Sequence, residues 1–268
     1  MDLDHCLDLA KKGALEAGAC ILSYYSTSYK ISHKNKDPEN LLTQADIESN
    51  QILENRLRKA FPAGWLSEES QDHPDRLAQD WVWIIDPLDG TREFVLKIPE
   101  FGVSIGLVYR GVPQLGVFYN PVTQQLYWGR KGTGVYCNES PVERIKTSTS
   151  LADSSWLVSR SETQKGKFQN FSEFHLQPVG SIANKLTLVA SGKAHLTLTL
   201  NPRYEWDICA GGFFILETGG RFTDLSQNSI LFNQNPPLVA GIVATSPELY
   251  PSLMACLKTK NALPDSID

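Results

Sequence analysis

Trp83-Ile84-Ile85-Asp86-Pro87-Leu88-Asp89-Gly90-Thr91 is the stretch whose reading decides the rest of the chain. An apolar, strand-like run breaks off into two carboxylates three residues apart, followed by Gly and Thr. Asp followed by Pro suits the first two positions of a turn, because the Pro ring pre-sets φ at the second. Such a turn can hold both carboxylates and the Leu88 carbonyl on one side of a strand end, a set of hard oxygens suited to Mg²⁺. The same residues also read as an Asp-Gly hairpin turn after Trp81–Ile85. Alone, the stretch leaves both readings open.

Its surroundings narrow the choice. At 268 residues, 41% hydrophobic and 21% charged, the chain has globular composition and room for one large domain or two smaller ones. A net charge of −5 argues against a nucleic-acid polymer or an anionic membrane as main partner. A phosphate compound remains possible where metal ions or a basic pocket supply positive charge. Cys6, Cys20, Cys137, Cys209 and Cys256 are scattered and form no C-x-x-C pair, so neither a zinc site nor a disulfide framework is expected. Met1-Asp2-Leu3-Asp4 shows no basic, apolar leader, and no run approaches the roughly 18 apolar residues that span a bilayer. The expectation is a cytoplasmic protein without a membrane partner, a monomer or homodimer.

Leu3, Leu7, Ala10, Ala14, Ile21, Leu22 and Tyr25 recur at helical spacing and predict a helix over 2–25. A polar loop, His33–Pro38, precedes a second helix, where Thr43 and Asp46 fit a capping box. Ser67-Glu68-Glu69-Ser70 reads as a short polar segment. Phe101–Tyr109, Gln114–Tyr119 and Gln125–Arg130 read as strands that, with 81–85, predict an antiparallel sheet with helices on one face. A second α/β region begins near 145. It holds a strand at Trp156–Ser159, a helix at Ile182–Ala190 after Gly180-Ser181, and a strand at His195–Leu200. A helix follows Asp207, strands follow at Arg221–Asp224 and Leu238–Ala244, and a last helix starts at Ser246-Pro247-Glu248.

Four acidic islands emerge: Asp46, Glu68, the Asp86/Asp89 pair and Asp207. Singly, Asp46 and Asp207 read as helix-start carboxylates and Glu68-Glu69 as solvated charges. Jointly, Ser-Glu-Glu-Ser, then Trp-Ile-Ile-Asp-Pro-Leu-Asp-Gly-Thr, then Glu-Trp-Asp ahead of a Gly-rich helix resembles the inositol monophosphatase superfamily of Mg²⁺-dependent, typically lithium-sensitive phosphomonoesterases, from the N-terminal helix to about residue 245.

That resemblance implies a layered αβαβα sandwich, an α/β (α+β) fold, with the site between residues 1–145 and 146–268. It implies Glu68, Asp86, the Leu88 carbonyl, Asp89 and Asp207 as ligands of two or three Mg²⁺ ions. Asp46 and Thr91 match the pair that orients and deprotonates the attacking water, and the Gly90 and Thr91 N–H groups are suited to phosphate oxygens. Glu68 and Asp207 would also face the substrate. Arg92-Glu93-Phe94 after the core motif, Val158-Ser159-Arg160-Ser161, and Gly180-Ser181-Ile182-Ala183-Asn184-Lys185 resemble the 3′(2′),5′-bisphosphate nucleotidase branch. Ser181, Lys185 and Arg203 are then the candidates for a second phosphate. Glu162 stands where some nucleotidases have His near the adenine, which leaves an inositol or sugar monophosphatase as the alternative substrate class. A non-catalytic metal- or phosphate-binding regulator ranks below both, because the water-activating pair Asp46 and Thr91 is present.

Overall fold

The structure, a computed structural model, describes residues 2–26, 31–33 and 41–263; of the loop read at His33–Pro38, only His33 lies among them. α1 (Leu3–Tyr25) starts where the Asp2 carboxylate accepts from the Asp4 and His5 N–H groups. β1 (Ile31–His33) and β2 (Leu41–Thr43) form an antiparallel pair, and α2 (Gln44–Ala60) follows directly.

β3 (Gly64–Ser67) and β4 (Trp81–Asp89) then enter a seven-stranded sheet. After α3 (Thr91–Val95), it is completed by β5 (Gly102–Tyr109), β6 (Val112–Asn120), β7 (Gln125–Arg130), β8 (Val135–Cys137) and β9 (Ser140–Pro141), ordered as in sequence. β3 runs parallel to β4, and every other neighbour is antiparallel. β5 and β6 are joined by Arg110-Gly111 alone, both at positive φ, so β6 begins two residues before the expected Gln114.

The second half supplies β10 (Ser155–Ser159), α4 (Arg160–Gln164), β11 (His175–Val179), α5 (Ile182–Ala190), β12 (Leu196–Thr199), β13 (Arg203–Tyr204) and α6 (Glu205–Glu217). β14 (Arg221–Thr223), β15 (Leu238–Val239), β16 (Ile242–Thr245) and α7 (Tyr250–Thr259) complete it. Its five-stranded sheet has the order β11-β10-β12-β16-β14, and β13 pairs with β15 apart from it. The strand expected over Leu238–Ala244 is broken by Gly241 at φ +74. α7 begins at Tyr250 rather than at Ser246: the Leu249 N–H reaches Ser246 Oγ and the Tyr250 N–H reaches its carbonyl, so Ser246 terminates a preceding turn.

Helices cover both faces of the large sheet, not the one face expected. Trp83, Ile85, Val103 and Val117 pack against α1 and α2, while Val82, Ile84 and Phe118 meet α5 and α6. Double coverage is why β4 reads as an unbroken apolar run. α5 and α6 in turn pack on the second sheet, whose far side is closed by Leu253, Met254 and Leu257 of α7. The result is the αβαβα sandwich. Because α6 is enclosed on all sides, it carries the apolar run Ile208–Ile215 rather than an amphipathic stripe.

α6 lies unusually close to the large sheet. Gly106, Gly116 and Gly129 are cross-strand neighbours on β5, β6 and β7 and form a bare stripe. A Cβ on Gly106 would strike Cys209, and one on Gly116 would come within 3.0 Å of the Ala210 carbonyl.

Candidate active site

β4 does not turn at Asp86-Pro87. The strand continues to Asp89 through a bulge: Asp86 faces Ser104 and Asp89 faces Gly102, so three steps on β4 oppose two on β5. In a regular strand, residues three apart point to opposite faces. The extra residue restores both carboxylates to one side. Leu88 meanwhile buries its side chain with Trp83 and Ile85 on the α1/α2 side. Neither sequence reading, hairpin or Asp-Pro turn, describes this backbone, though the cradle's atoms converge. Gly90, at φ +92, turns the chain into α3, and a Cβ there would sit 2.9 Å from the Glu100 carbonyl.

Glu68 follows β3, and its N–H extends the ladder to the Ile85 carbonyl at 3.2 Å. Its turn is pinned rather than solvated: Ser67 Oγ donates to Asn50 Oδ1 at 2.7 Å, while Asn50 Nδ2 and Trp65 Nε1 donate to Ser70 Oγ at 2.9 and 3.2 Å. Asp207 lies inside the first turn of α6, two residues later than a helix starting after it would require. Glu68, Asp86 and Asp207 bring carboxylate oxygens within 4.8 Å of one another.

Asp89 lines the same cavity of about 300 Å³, but one oxygen is engaged at the start of α5. Its Oδ2 accepts from Ser181 Oγ and, at 2.7 Å, from the Ala183 N–H. Burial pushes the Asp207 carboxyl well above the usual carboxylate range, and the charges of Glu68 and Asp89 push it further. Burial likewise raises Asp89, against its bonds to Ser181 and Ala183. Carboxylates crowded so that each opposes the other's ionisation form a donor set that a hard cation relieves. Glu68, Asp86, Asp89, Asp207 and the Leu88 carbonyl fit Mg²⁺ on that ground.

Asp46 combines two roles that the sequence presented as alternatives. Its Oδ2 accepts from the Thr43 N–H at 2.8 Å and from Thr43 Oγ at 2.5 Å, which caps α2. Its Oδ1 accepts from Thr91 Oγ at 2.9 Å, across 45 residues. Burial raises its pKa to about 6, while the Thr43 and Thr91 bonds pull it back.

The opposite wall of the cavity is basic, with Arg92, Arg160, Lys185 and Arg203 among its lining. Lys185 Nζ donates to the carbonyls of Ser181 at 2.9 Å and Val179 at 3.2 Å, and burial lowers its pKa to about 8. Arg203 donates to Glu162 Oε1 at 3.2 Å. Glu162 is fully buried and also accepts the Asn201 N–H at 2.9 Å, so it holds the Arg203 turn and does not line the cavity. Gly90, Thr91 and Ser181 line it too; Asp46 stands behind Thr91. Arg160 and Gly180 line the cavity without having been singled out as site residues, although both sit in quoted segments. Glu100 had no local signal.

No helix among the described residues is long and apolar enough to cross a membrane. A profile of the "Inositol monophosphatase family" matches residues 2–261. Inositol-1-monophosphatase of Bacillus subtilis (strain 168) is 31% identical over 247 residues, covering 87% of this chain and 91% of that protein. Among solved structures, extragenic suppressor protein suhB from Bartonella henselae superposes with a TM-score of 0.80 at 27% identity, over 97% of this chain and 98% of that one. Inositol monophosphatase from Anabaena (Nostoc) sp. PCC 7120 does so at 0.78 and 28%, over 99% of each. Sequence and architecture agree along almost the whole length, and the chain belongs to the inositol monophosphatase family.

Proposed function

We propose that this family phosphatase is a Mg²⁺-dependent phosphomonoesterase that removes the 3′-phosphate of 3′-phosphoadenosine 5′-phosphate and its 5′-phosphosulfate analogue. The observation that carries the reading is the division of one cavity into an acidic wall and a wall bearing four cationic side chains, which suits a substrate with a second anionic group.

Glu68, Asp86, Asp89, Asp207 and the Leu88 carbonyl would hold the metal, which when bound supplies Lewis-acid charge to the phosphoryl group and acidifies the attacking water. Thr91 Oγ orients that water. As the water proton moves onto Thr91 Oγ, the hydroxyl's own proton passes along the 2.9 Å bond to Asp46 Oδ1. The Gly90 and Thr91 N–H groups take phosphoryl oxygens where the chain enters α3. Lys185, Arg203 and Ser181 face the second anion. In this reading residues 1–145 carry the reaction and 146–268 select the substrate. Positioning and charge neutralisation are what phosphoryl transfer chiefly requires.

Inositol 1-phosphate is the second reading. It is favoured by the name of the Bacillus subtilis relative and by the absence of any aromatic side chain among the described lining residues, which leaves no stacking platform for adenine. Phosphate release from each compound with Mg²⁺ tests both. Faster turnover of inositol 1-phosphate overturns the nucleotide assignment, and release from neither overturns the phosphatase mechanism as drawn.

A further inference from the structure

The three segments that mark the substrate class in the sequence, Arg92-Glu93-Phe94, Val158–Ser161 and Gly180–Lys185, meet in one cluster. Glu93 of α3 is buried, and its Oε1 lies 3.6 Å from Arg160 Nε. The Arg160 guanidinium also donates to Glu100, which accepts the Gly180 N–H at 2.6 Å. Gly180 packs directly on the Glu93 carboxyl, leaving no space for a Cβ. The next residue, Ser181, takes φ +52, a left-handed backbone that a non-glycine residue holds only when its surroundings enforce it. In that conformation its Oγ donates to Asp89 and accepts the Asn184 N–H at 2.9 Å, while its carbonyl accepts Lys185 Nζ.

We propose that Glu93, Glu100 and Arg160 are positioning residues: they touch no reacting atom, but clamp Gly180 so that Ser181 and the Ala183 N–H meet Asp89 and Lys185 faces the cavity. The charged clamp supplies the enforcement that the Ser181 backbone requires, because Glu100 holds Gly180 from one side and Glu93 fills the space beneath it. Arg160 joins the two carboxylates, which would otherwise repel each other under the same turn. The substrate-marking residues of the sequence thus act through the turn and not by contacting substrate. The assignment rests on the proposed site only in giving Asp89 and Lys185 their roles; the clamp itself is a property of the metal-free chain.

Hydrogen exchange of the metal-free protein tests it. The reporter is the Ala183 amide, which bonds Asp89 and touches none of the three clamp residues. In Glu100→Gln and in Arg160→Gln this amide is expected to exchange about tenfold faster or more, with the amides of Ala10 and Ala14 in α1 unchanged. Mn²⁺ binding, followed by electron paramagnetic resonance, is expected to weaken severalfold in the same variants. Arg160→Lys, which keeps the charge but cannot fork between two carboxylates, carries the test if a neutral variant does not fold. Wild-type exchange at Ala183 together with wild-type Mn²⁺ binding in folded variants overturns the proposal. Faster Ala183 exchange, in a protein that proves inactive on 3′-phosphoadenosine 5′-phosphate, upholds the clamp and overturns the substrate reading alone.

Discussion

The two walls of the cavity are built by different means. On the acidic wall, Asp86, Leu88, Asp89, Gly90 and Thr91 lie within six consecutive residues, and one strand bulge orients them. On the basic wall, Arg160, Lys185 and Arg203 come from three separate elements, and each is held by a partner of its own: two carboxylates, two carbonyls and one carboxylate respectively. The contrast teaches that the reaction is encoded locally, where backbone geometry dictates it, while substrate choice is encoded in tertiary contacts that can be exchanged one at a time.

Four substitutions probe that division. Asp89→Asn should be the most damaging, because it removes a ligand charge and disturbs the start of α5; turnover should fall about a thousandfold with the fold retained by circular dichroism. Near-normal turnover would break the comparison at its root. Thr91→Ala should cost about a hundredfold in kcat with little change in KM, as expected of a group acting in proton transfer. A pH profile sharpens this case. Asp46 must be ionised to accept a proton, so in the wild type kcat should fall as pH drops through about 6. The Thr91 bond favours the ionised form, so its loss should move that limb to higher pH.

On the other wall effects should appear in KM. Lys185→Met should raise KM about tenfold for a substrate with two phosphates and change kcat little. Lys185 is charged below about pH 8 and neutral above it, so wild-type KM should climb as pH rises through that value, and the climb should vanish in the variant. Arg203→Gln should have the smallest effect, about threefold in KM, because Glu162 already neutralises part of its charge and leaves the cavity only a share of it. A kcat loss at Lys185 as large as that at Thr91 would show that the walls are not functionally distinct.

Legibility in the sequence followed the same division. Asp46, Glu68, Asp86, Asp89 and Asp207 were visible because carboxylates at the ends of apolar runs stand out without any partner. The helices at 3–25 and 182–190 were visible through spacing and caps. The bulge in β4 was not, because Pro87 and Gly90 suit a turn equally well and only pairing with β5 selects the longer strand. β3 was missed because its four residues end in the polar segment that carries Glu68. Glu100 was invisible for a different reason: its partners Arg160 and Gly180 lie 60 and 80 residues away, and no local pattern announces them. The role of Glu162 as the buried support of Arg203 needed the same long-range information.

The bare stripe of Gly106, Gly116 and Gly129 determines how near the α6 axis lies to the sheet, and α6 carries Asp207 towards Glu68 and Asp86. The spacing of the charge cluster is therefore calibrated by volume that is missing some distance away. A single added methyl on the stripe would act as a shim, lifting the helix and opening the cluster without altering any ligand. Positions that contact neither ion nor substrate would then be as intolerant of change as the carboxylates, and drift in metal preference among related chains could originate there.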